Sequence, residues 1–191
     1  MKKIIIKILP FVLGGLIGFI LAEKVFSEII PIYINVFSPV YPITVYGTLV
    51  ASIIFFILIF QLIINKKVSK LLFIILFVFY FAFLLVALFC RSSFESFIIL
   101  NPLTGLMDMF SEKEMLFQCF ANFAIFIPAG YLVRKQSVPT TLGVSLIAAV
   151  CIEIIQYIFK LGFFDTFDIL LYVLGVFVGR VIFKIVKIEF E

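Results

Sequence analysis

Neither tryptophan nor histidine occurs in this chain of 191 residues. Without imidazole, a His-based zinc site, a Ser–His dyad and a histidine general base are all excluded. Acid–base chemistry, if any, falls to carboxylates, lysine, tyrosine or cysteine. Cysteine is scarce. Cys90, Cys119 and Cys151 lie in or at the ends of apolar runs, and their odd number and spacing fit no metal motif. They read as small buried hydrophobes, and no metal or other cofactor is called for. Charge is thin as well, at 14% of residues, against about 25% in soluble domains.

What fills the chain instead is apolar. Hydrophobic residues make up 65%, where a soluble domain has about 45–50%. The excess is spread over several long runs. The expected fold is therefore an all-α, polytopic membrane helical bundle forming a single membrane domain, 1–191, in the cell membrane. The runs predict six transmembrane helices at 4–22, 43–64, 71–89, 115–133, 140–159 and 166–186. The first follows Met1-Lys2-Lys3 but is too long for a signal-peptide core and lacks a small-residue cleavage site, so it reads as an uncleaved span. Residues 23–42 hold Pro31, Pro39 and Pro42 with Tyr33 and Tyr41, which predicts an interfacial loop. The polar interval 91–114 keeps an apolar middle, 97–106, able to dip into the interface.

Of the fifteen Lys and Arg residues, eleven fall on the side of the N-terminus and four opposite. The positive-inside bias then predicts cytoplasmic N and C termini. The net charge of +4 serves topology, and nucleic-acid binding has no support. The lipid bilayer is the expected partner. A homo-oligomer is compatible with so short a chain.

Polar groups inside the spans are the candidates for function, because a carboxylate in hydrocarbon is costly. Asn122 lies in the fourth span and Glu153 in the fifth, each about 10 Å below the outer surface at about 1.5 Å per residue. Gln156 shares a helix face with Glu153 at i+3. Asp165 and Asp168 share a face at the start of the sixth span, and Arg91 ends the third on the same side. Asp165 also suits an N-cap. Asn122 and Gln156 also suit interhelical hydrogen bonding. Glu153 is far from either helix end, so it must be neutral, paired with a cation, or lining a wet cavity. Gly14 and Gly18, and Gly175 and Gly179, are small-xxx-small pairs for close helix packing. Pro128 and Gly130 predict a kink in the fourth span, near Ala124.

Asn122-x3-Phe126-x-Pro128-x-Gly130, Glu153-x2-Gln156, Asp165-x2-Asp168 and Gly175-x3-Gly179, in this order, resemble the VanZ-like family over roughly 89–183. Arg91 followed by Asn101-Pro102 resembles a further family region. The chain departs from the pattern at Phe163, where the family often has Arg, at Phe167, often a third acid, and at Tyr172, often Asn. The resemblance implies an integral membrane protein of Gram-positive-type bacteria, linked to low-level resistance to the glycopeptide teicoplanin. Three readings stay open. The chain binds or shields a polar envelope molecule, such as a cell-wall precursor or lipoglycopeptide, at the outer leaflet. It is an intramembrane enzyme on a lipid-linked substrate, with Glu153 and Asp168 the best catalytic candidates. Or it is a structural or accessory subunit.

Overall fold

The computed structural model describes residues 2–27, 30–31, 36–89, 97–111, 113–186 and 188–190. Arg91, Cys90 and Tyr33 lie outside them. The chain forms two compact units, Met1–Arg91 with Ile188–Glu191, and Ser92–Lys187.

In the first unit, α1 (Lys2–Leu21) carries Pro10 and runs into a π-helical turn, Ala22–Phe26. α2 spans Val40–Asn65 and α3 Lys70–Phe89. α2 starts at Val40, three residues earlier than expected. Pro39 sits at its N-cap and Pro42 in its first turn, where a missing N–H breaks no helical bond. α1 and α2 approach backbone to backbone. A Cβ on Gly14 would overlap the Phe56–Ile57 main chain, and one on Gly18 would stand 2.5 Å from Ile53 Cα. The Ser52 hydroxyl donates to Gly18 O at 2.8 Å across the same contact. Between α2 and α3, Lys66 takes a left-handed φ of 57°, and the buried Gln61 side chain accepts the Ser69 N–H at 2.9 Å. The end of the chain returns to this loop. Val68 N–H donates to Glu189 O at 2.9 Å, Val68 and Phe190 form a parallel bridge, and Phe190 packs edge-on against Phe73.

The second unit holds β1 (Ile98–Ile99), α4 (Pro102–Ser111), α5 (Lys113–Ala124), α6 (Gly130–Val133), α7 (Val138–Ile158), β2 (Phe164–Asp165) and α8 (Thr166–Ile185). β1 and β2 pair in parallel, Ile98 with Phe164 and Ile99 with Asp165. Ser137 caps α7, its hydroxyl accepting the Thr140 N–H, with Pro139 in the first turn. α7 ends on Lys160 at φ 54°. The Lys160 and Leu161 amides then bond Tyr157 O and Gln156 O, at 3.2 and 2.8 Å, which is the Schellman pattern for closing a helix.

Among the described residues, five helices are long and apolar enough to cross a membrane. They correspond to the expected spans other than the fourth. The segment expected as that span, 115–133, is interrupted. α5 stops at Ala124, and 125–129 form successive tight turns before α6. Pro128 has no N–H for Ala124 O, and the Ile127 N–H takes that oxygen at 3.1 Å instead. The interrupted stretch lies directly on α8. A Cβ on Gly175 would overlap Phe123 O, one on Gly179 would overlap Ile127 O, and one on Gly130 would overlap the Gly179–Arg180 main chain.

α7 faces inward with Thr141, Ser145, Ala149, Glu153 and Gln156, and outward with residues such as Leu146, Ile147, Ile154 and Ile158. This inverted polarity suits lipid outside and close packing inside. Cys119 is buried as expected, whereas Cys151 is exposed on the outward face of α7. Cys151 stands two residues before Glu153, which places it off the buried stripe.

Gly179→Ala is expected to lower stability by about 1–3 kcal/mol, the usual range for overpacking against a fixed backbone. Gly143→Ala, where nothing lies within 4 Å of the added carbon, should leave stability unchanged or raise it by about 0.5–1 kcal/mol. Thermal unfolding in detergent checks the pair.

Candidate functional site

The polar cluster of the second unit is built from α5, α7, β2 and α8. Asp165 precedes α8 in extended conformation, and its Oδ1 accepts the Phe167 N–H at 2.8 Å. Its own N–H donates to Glu153 Oε2 at 2.9 Å. β2 is held for this by β1, through Phe164 N–H to Phe97 O at 2.9 Å and the Thr166 hydroxyl to Ile99 O at 3.3 Å. One turn into α8, Asp168 Oδ1 accepts Asn122 Nδ2–H from α5 at 2.8 Å. Asn122, Glu153, Asp165 and Asp168 thus converge through two interhelical contacts. Gln156 is buried on the Glu153 face of α7. Arg91 lies outside the described residues.

Glu153 is fully buried, with 0% of its surface exposed. Oε2 is bonded to Asp165, whereas Oε1 makes no hydrogen bond of standard geometry. The Tyr172 side chain is a hydrogen-bonding neighbour of this carboxylate, and Asp168 and Asp165 act on it through their charge. Asp165 lies just outside α8. Burial pushes its carboxyl above the usual range, the Phe167 N–H pulls it back, and Asp108 of α4 adds to the rise. Among the described residues, no set of three or more acidic or cysteine side chains is arranged to hold a metal ion.

The three positions that depart from the family pattern each carry a packed aromatic ring. Phe163 stacks on Phe97 with centroids 5.6 Å apart. Phe167 is buried in a cluster with Cys119 and Leu171, and Gly105 of α4 abuts its ring. Tyr172, 1% exposed, stacks on Phe126 at 4.3 Å. Tyr172 is the site residue that sequence reasoning missed. Its signal was an aromatic hydroxyl one turn past Asp168, on the same helix face. Arg180, near the end of α8, is buried as well. Its Nη2 and Nε donate to Gln136 O at 2.7 and 3.3 Å, closing the α6–α7 loop onto α8.

A multi-pass, all-α membrane protein with a carboxylate–amide cluster between its packed helices is the class these features define. The chain belongs to the VanZ/LLP1 family, whose model matches residues 71–187. That match takes in α3 as well as the 89–183 region that carries the motifs. No curated protein and no solved structure matches the chain.

Glutamine at 153 keeps one oxygen for the Asp165 N–H, whereas leucine leaves that amide unpaired. Glu153→Leu is therefore expected to lose about 1–3 kcal/mol of stability. Glu153→Gln should stay close to the parent. Asp165→Ala should cost about 0.5–2 kcal/mol through the lost cap. Unfolding midpoints of the three variants in detergent check this order.

Proposed function

We propose that this VanZ-like membrane protein binds or shields a polar cell-envelope molecule or lipoglycopeptide, and so contributes to resistance of the teicoplanin type. Six crossings with both chain ends in the cytoplasm belong to this reading, with the interrupted α5–α6 segment as the fourth. The cluster of Asn122, Glu153, Gln156, Asp165 and Asp168 then lies toward the outer leaflet, where glycopeptides and their precursor targets meet the membrane.

The observation that carries the reading is Glu153. One buried oxygen is committed to Asp165, and the other, with Tyr172 beside the carboxylate, makes no hydrogen bond of standard geometry. An unsatisfied buried acceptor costs about 1–3 kcal/mol, and more when charged. Helix packing alone does not call for that expense. A ligand offering an N–H or O–H relieves it, and cell-wall precursors and glycopeptides are rich in both. The neighbouring hydrogen bond between Asn122 and Asp168 gives the cluster a fixed second point of recognition.

Glu153→Gln tests this in cells that depend on the protein for protection. The expected result is a fall in teicoplanin protection to that of cells without the protein, while its level in the membrane is unchanged. Asp168→Asn should give partial loss. Full protection by Glu153→Gln would remove the site from the account. Disappearance of the variant from the membrane would point to a structural or accessory role instead.

A further inference from the structure

α4 is too short to cross a bilayer. Its ten residues extend about 15 Å at about 1.5 Å each, half of a core about 30 Å thick. It is nevertheless strongly two-sided. Leu103, Leu106, Met107 and Phe110 recur at i, i+3, i+4 and i+7, within an arc of about 100°. All four are exposed, Met107 to 72% and Phe110 to 77%. The opposite side is occupied. Gly105 lies against the Phe167 ring, and Met109 packs on the Cys119–Phe167–Leu171 cluster. Thr104, Asp108 and Ser111 form a polar flank.

The packed side fixes the height of the helix. Phe167 is in the first turn of α8, and Ile99, just ahead of α4, holds the Thr166 hydroxyl. α4 is therefore level with the end of a helix long and apolar enough to span. An apolar stripe at that level meets the boundary between headgroups and acyl chains. The stripe is also continued by α5, which packs on α4 and exposes Leu116, Phe117 and Phe120.

We propose that α4 is a membrane-surface helix whose Leu103, Leu106, Met107 and Phe110 side chains are seated in the lipid leaflet. Its partner is the acyl region of the bilayer. Its polar flank and Gly105 face keep it tied to the first turn of α8. Lipid contact thereby holds one wall of the polar cluster in place. The stripe has the amphipathic spacing of interfacial helices, and its attachment sets the depth.

The absence of tryptophan makes a direct test simple. Phe110→Trp is introduced into the full-length chain and reconstituted in phosphatidylcholine vesicles, with and without brominated acyl chains. Met107→Trp serves as a second reporter should the first variant misfold, and Ser111→Trp marks the polar flank. The stripe reporters are expected to emit at shorter wavelength than Ser111→Trp. They should lose most of their emission to bromines placed near the headgroups, less to bromines at the bilayer centre, and little to aqueous iodide. Iodide quenching equal to that of Ser111→Trp would place the stripe in water and overturn the proposal. Short-wavelength emission without bromolipid quenching would mean that protein, such as a second copy of the chain, covers it, and would overturn it equally.

Discussion

The Asp165 amide and the Glu153 carboxylate meet at 2.9 Å, and much of the second unit is arranged around that bond. It joins the C-terminal third of one long helix to the residue that starts the next. For the amide to reach, β2 must be extended. For β2 to be extended, β1 must pair with it, and the loop after α7 must turn back sharply at Lys160. The Asp165 side chain is then free to cap α8, which orients Asp168 toward Asn122. A single buried acceptor thus sets the register of three elements. Its second oxygen makes no hydrogen bond of standard geometry, so the contact that organises the unit leaves an acceptor within it.

Within each unit, the helix contacts rely on proximity. In lipid, hydrophobic burial gives helices little reason to associate, because acyl chains are as apolar as leucine. Close backbone approach supplies dispersion contact in its place. α1 meets α2 at Gly14 and Gly18, and α8 meets the interrupted α5–α6 segment at Gly175, Gly179 and Gly130. The interruption and the glycine track are complementary. A continuous helix would present side chains where the turn at 125–129 presents main chain, and α8 has removed its own side chains at those levels.

Much of this was legible in the sequence. Runs of apolar residues placed five long helices to within a few residues, because a bilayer imposes a minimum length that little else demands. The cap at Asp165 and the amide at Asn122 followed from rules of position, and Glu153 stood out because nothing bland explained it. Pro128 marked the break, but not that the helix would end there. That depended on α8 offering a glycine surface to receive it. Tyr172 and Phe167 read as departures from a pattern, whereas their environments show rings packed on Phe126 and against Gly105. Cys151 looked like a core residue because burial and lipid contact draw on the same amino acids. Its exposure is decided by helix phase.

The bridge between Val68 and Phe190 constrains topology by parity. Two segments paired through their backbones share one side of a membrane, so the chain between them must cross an even number of times. α3, α7 and α8 alone would make that number odd. A crossing by the α5–α6 segment, as proposed above, would restore it, since 113–133 at about 1.5 Å per residue is close to the thickness of a bilayer core. A short strand contact at the end of the chain therefore supports the six-crossing arrangement proposed above, and does so without reference to charge.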